Sequence, residues 1–405
     1  MHAVKSRRGL LISAAPVLGL CLLAAACVAD ETKTDEAQTG TPQPEQWEAA
    51  PVDLPPATRY AAYDAPSDTL WVLSGPSSFT EASPTLLTEF HPESGNWETH
   101  ELDVSPIRLP VGGGILTDVT GAVWMAFDRS VKRYYPDTEA LDEWKIPHPG
   151  NQYLSPIDSG LDRFAVALAV DGDGLFWVAL HSITGLYAFD PEAVTWDFFD
   201  TSPYVALDNT KVTARGDVIY FNGYNPAGKS FELLTIDATT REVTSIAGGA
   251  IDYVFHTDGS VTYLEGHNDI EGTVTVRRTG QTEALAEFSG IPAPYAYMVA
   301  DADGNAWLWR TGRLAVDIVR IDPLSAEQKT FAYPLVILET NGNGPLTHFP
   351  FQPDPRGSPQ PVAADPSIQA LVVDKRGDVW VVSASGDNPP YEYDSYPPLY
   401  RLHPE

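Results

Sequence analysis

Glu265-Gly266-His267 is the sharpest pairing of reactive groups in the chain. Two residues apart on an extended backbone, the carboxylate and the imidazole share one side. An imidazole with a near-neutral pKa moves protons, and a carboxylate can hold a cation against a leaving oxygen. The pair therefore suits proton transfer assisted by a divalent cation, Mg2+ or Ca2+; no other cofactor is expected. The plainer alternatives are two ligand contacts in a binding protein, or two loop residues. His181, Tyr224 and Arg310 are further candidates for ligand contact, as are Tyr391 and Tyr393 in the stretch SGDNPPYEYDSYPP at 385–398. Tyrosine rings suit sugar rings and apolar peptide side chains.

Other chemistries lack their signatures. The chain has no Gly-x-Ser-x-Gly and no HExxH, and Gly112-Gly113-Gly114 lacks the lysine of a phosphate-cradling loop. A Ser–His–Asp triad stays open, because its members need not be adjacent. Asp171-Gly172-Asp173-Gly174 and Asp301-Ala302-Asp303-Gly304 look like calcium loops but lack the remaining ligands at EF-hand spacing, so they read as hairpin turns.

The elements that position these residues are strands. The stretch 168–200, LAVDGDGLFWVALHSITGLYAFDPEAVTWDFFD, holds four short runs rich in β-branched and aromatic residues, separated by Gly, Asp and Pro. Its phrase, a turn followed by an aromatic strand, recurs around Trp71, Trp124, Trp177, Tyr220, Tyr263, Trp307 and Trp380. A period of roughly 40–50 residues with four strands per unit predicts a β-propeller. Seven units predict an all-β, seven-bladed ring of four-stranded blades over 46–405. The last unit supplies only three strands before the chain stops, so the segment 47–54, beginning at Trp47, is expected to dock as its fourth and remove an open edge. Residues following each aromatic, with the long loops 147–162, 335–366 and 385–398, then ring one end of the channel. The insertion 335–366, with His348, Phe349 and Phe351, could serve as a lid.

The first 26 residues read as an export signal. Lys5, Arg7 and Arg8 precede the apolar run 10–23, which is too short for a convincing membrane span. Ala24-Ala25-Ala26-Cys27 resembles a bacterial lipobox, with lipid on Cys27, and Ser6-Arg7-Arg8-Gly9-Leu10-Leu11 resembles a twin-arginine signal; an ordinary secretory leader is the alternative. Residues 27–45 form a polar, acidic tether. The expected location is the cell envelope, with the chain exported and lipid-anchored.

Cys21 is the only other cysteine and lies in the leader, so the exported chain has no disulfide. The formal net charge of -30 disfavours nucleic acid. The expected partners are the membrane, through the lipid, and a small-molecule, glycan or protein ligand; a monomer is expected.

The turn-Trp phrase Asp173-Gly174-Leu175-Phe176-Trp177, with Gly185-Leu186-Tyr187 and Phe189-Asp190-Pro191, resembles the sensor propellers of two-component regulators. It is also similar to the virginiamycin B (streptogramin) lyase family of seven-bladed propellers. The lyase resemblance implies that Glu265 and His267 act with Mg2+ in an elimination across an ester of a cyclic peptide. The chain departs from that pattern: where the family carries another histidine on the preceding blade, it offers Asn222, Tyr224 and Asn225. Two readings follow: a non-catalytic, lipid-anchored propeller that binds a ligand or partner at its loop-rich face, or a metal-assisted lyase. A scaffold within a cell-surface complex is a third.

Overall fold

The computed structural model describes residues 47–49, 58–75, 84–104, 114–127, 129–148, 150, 153, 164–207, 210–266, 273–289, 296–310, 317–332, 351–353, 359–361, 367–384 and 399–404. All lie in the compact unit Thr41–Glu405. The segments read as signal and tether, with Cys27, fall outside them, as do His267, Tyr391 and Tyr393.

Seven four-stranded antiparallel sheets form the blades of a β-propeller. They cover 58–102, 115–145, 165–200, 212–248, 250–289, 296–332 and 367–402. The seventh blade has three strands from the C-terminal end of the chain and takes its fourth from Trp47–Ala49, with Trp47 opposite Leu402 and Ala49 opposite Tyr400. This is the closure the sequence calls for. The insertion before blade 7 contributes a separate hairpin, Phe351–Pro353 with Pro359–Pro361.

Within a blade the four strands differ in burial. Ala165–Val170, an inner strand, is almost wholly buried, and so is the second strand Phe176–Leu180. The outer strand Thr195–Asp200 is largely exposed. The inner runs are therefore continuously apolar while the outer ones alternate, as a sheet packed between two neighbours requires.

The aligned tryptophans join blade to blade. Trp124 stacks on Phe176 of the next blade at 3.8 Å between ring centres. Trp177 lies in one cluster with Val212, Ile219 and Phe221 of blade 4, and Trp307 in one with Leu371, Val379 and Val381 of blade 7. Phe90 of blade 1 meets Trp380 edge-on at 5.2 Å, closing the circle.

Four of the five aligned tryptophans are also tied to their own turns. In blade 3, Asp171 Oδ2 accepts from Trp177 Nε1 at 2.7 Å, and Oδ1 accepts from the amides of Asp173 and Leu175. Gly174, at φ +83, supplies the left-handed residue of this turn. The same Asp-to-Trp bond, six residues apart, recurs as Asp118–Trp124, Asp301–Trp307 and Asp374–Trp380. The calcium-like loops are thus turns whose first carboxylate is spent on backbone and indole.

Blade 5 departs from the expected alignment. Val261 pairs with Phe255 and Thr262 with Val254, so Thr262, not Tyr263, stands at the tryptophan position. Its partner, six residues earlier, is His256 in place of aspartate: Nε2 lies 2.6 Å from Thr262 Oγ1, and Nδ1 lies 2.6 Å from the Gly304 carbonyl of blade 6. Aromatic character misplaced the phrase by one residue; ladder register fixes it.

Candidate functional site

The antiparallel order fixes two unlike faces. Second strands end, and third strands begin, on the face where each blade hands over to the next; we call it the rim face. The opposite face carries the short turns just described. Glu265 pairs with Ala250, Arg310 with Ala296 and Leu180 with Ala165, each at the rim end of a second strand. His181 directly follows Leu180 in blade 3, and Tyr224 lies at the rim end of Val218–Asn225 in blade 4, opposite Phe231. Candidates on four consecutive blades therefore reach one rim, as the repeat predicts. The segments 147–162, 335–366 and 385–398 connect strands at this same face, and most of their residues lie outside the described set.

Each described side chain is engaged within its own blade. His181 stacks on Phe164 at 5.1 Å, with its Nδ1 3.0 Å from Ser182 Oγ. Tyr224 packs against Phe231 at 5.2 Å, and its backbone bridges to Val205. Glu265 Oε2 accepts from Arg277 Nε. That hydrogen bond raises the guanidinium above its ordinary range. Glu265 also covers Gly249, where a β-carbon would stand 2.9 Å from Glu265 Cγ; Gly249 has φ +75. Arg310 is placed only as a strand residue.

The described residues do not fit a bound Mg2+ at this point. Glu265 is committed to Arg277 and belongs to no group of three His, Cys, Asp or Glu among the described residues.

Sequence reasoning missed a polar network one step inside the rim. Lys211 Nζ donates to Asp252 Oδ1 at 3.2 Å, to the Tyr253 carbonyl at 2.8 Å and to the Met298 carbonyl at 2.9 Å. Asp252 Oδ2 accepts from the Met298 amide, and Asn222 links the Lys211 amide to the Ile251 carbonyl. Three protons on the ammonium meet three oxygens, so blades 4, 5 and 6 are clamped around a satisfied charge. The available signal was a lysine just before one inner strand and an aspartate within the next, where the inner strand of blade 3 has only aliphatics.

No family model matches the chain, and no curated protein matches it. Solved structures do. A catalytically inactive virginiamycin B lyase from Staphylococcus aureus with quinupristin aligns at TM-score 0.57 and 12% identity, covering 88% of this chain and 99% of that one. A streptogramin B lyase structure aligns at TM-score 0.54 and 12% identity, over 88% and 97%. The extracellular domain assigned to a hybrid two-component system of B. thetaiotaomicron gives TM-score 0.49 and 14% identity, over 88% of this chain and 41% of that one. At such identity the likeness shows the fold alone: this chain is a seven-bladed β-propeller similar in architecture to the streptogramin lyases.

Proposed function

We propose that the protein is an exported, lipid-anchored propeller that binds a ligand or partner protein at its rim face, without catalysis. One observation carries the reading. In four blades the leading aspartate of the first turn is spent on backbone and tryptophan, whereas the rim gathers His181, Tyr224, Glu265 and Arg310 from consecutive blades beside the long connections. Mixed polar, charged and aromatic groups around a channel mouth suit a small-molecule, glycan or peptide ligand. The lyase reading draws on the fold likeness, but the Glu265–Arg277 pair works against a carboxylate poised to hold a metal.

A thermal-shift screen of the chain lacking its first 26 residues tests the proposal, against glycans, cyclic peptides and divalent cations. A ligand at a hundredfold excess over its Kd stabilises by about 2.7 kcal/mol. His181→Ala, Tyr224→Ala and Glu265→Gln should shrink that shift. Hits indifferent to all three variants would move the site elsewhere, and turnover of a cyclic lactone peptide by the wild-type chain would replace binding by catalysis. Lipid labelling lost in Cys27→Ser supports the anchor; labelling that persists defeats it.

A further inference from the structure

A second constellation lies on the outer flank, near the turn face, between blades 1 and 2. Glu98 and His100 sit two apart on Asn96–Leu102, which gives them a common side. Glu139 sits in the turn between Ser130–Tyr135 and Ala140–Lys145, in the left-handed region at φ +54. One ligand atom from each of the three lies within 4.8 Å of the other two.

The site is more than a cluster of acids. The His100 side chain is only 10% exposed, held between Trp71 and Tyr134 at ring-centre distances of 6.4 and 5.3 Å. Its Nε2 is buried with no hydrogen-bond partner; Glu89 Oε2 stands 3.8 Å away, beyond bonding reach. The Tyr134 hydroxyl is likewise buried and unbonded. Buried polar atoms are rarely left unbonded. Two such atoms beside converging carboxylates mark a place where a cation meets an unmet need.

We propose that Glu98, His100 and Glu139 bind a divalent transition-metal ion of the Zn2+ or Mn2+ class, which staples blade 1 to blade 2. One imidazole and two carboxylates suit such ions; Mg2+ and Ca2+ take oxygen ligands almost exclusively. The site is on the opposite side of the ring from the proposed ligand rim, so the two stand or fall separately.

The test is calorimetric titration of the chelator-treated, desalted chain with ZnCl2 and MnCl2, alongside thermal melts, with MgCl2 as control. The expected result is saturable binding near one equivalent, a melting temperature raised by several degrees, and little response to Mg2+. His100→Gln and Glu139→Gln should each weaken binding at least tenfold, while Glu192→Gln, an exposed acid in a blade 3 turn, should not. If His100→Gln fails to fold, Glu98→Gln and Glu139→Gln, both at exposed positions, decide the matter. No saturable binding by the wild-type chain, equal uptake of Mg2+, or binding untouched by Glu139→Gln and Glu98→Gln would overturn the proposal.

Discussion

Asp171 shows how one side chain fixes a blade. Its two oxygens accept from two turn amides and from the buried Trp177 indole. Asp171→Ala should therefore cost about 2 kcal/mol in urea unfolding, the loss of a cap together with an orphaned indole donor; Asp171→Asn should cost less. Blade 5 meets the same need with His256. A carbonyl can only accept, so Nδ1 carries the proton toward Gly304, and Nε2 accepts from Thr262. The ring is thereby held neutral, and burial above all depresses its pKa. The folded state then takes up a proton less readily than the unfolded chain. The stability linked to His256 is complete above the ordinary histidine value of about 6.5 and is lost as pH falls through it. His256→Gln should flatten the drop in melting temperature between about pH 7 and pH 5; an unchanged slope would refute this. The aspartate turns were legible from residue type. Their indole bonds were not, and aligning on aromatic character placed Tyr263 where the ladder puts Thr262.

Among the elements, Trp47–Ala49 has the largest consequence for its length. It covers the Leu399–Leu402 strand, which otherwise presents a bare edge with Tyr400 and Leu402 buried behind it. Removing residues 1–55 should lower the melting temperature by several degrees and promote association through the exposed edge, seen by scattering; a truncated chain as stable and monodisperse as the parent would contradict the closure. The closure was readable because the last repeat is one strand short. The contacts flanking it were not: Arg376 reaches Asp68 of blade 1 at 2.8 Å while also holding Asp374 at 2.7 Å. Burial opposes ionisation of Asp68, but bonds from Tyr63 and Arg376 outweigh it and hold the carboxyl below its usual range. Arg376 and Asp68 lie 308 residues apart in sequence. The Lys211–Asp252–Met298 clamp was hidden for the same reason, since no local pattern joins three blades.

For the whole molecule, 55 acids against 25 Lys and Arg leave a strong like-charge field around the ring. Self-repulsion of this kind destabilises a compact state and is screened over about 8 Å at physiological ionic strength. Raising KCl from about 10 mM to about 500 mM should therefore increase the melting temperature. A decrease would mean that attractive pairs such as Arg376–Asp68 outweigh the repulsion.

The direction of the borrowed strand has one more consequence. Trp47 lies at the turn-lined end of its partner and Ala49 nearer the rim. The chain thus enters the ring through its turn-lined end, as a stem joins a flower, and leaves the opposite rim to the long connections.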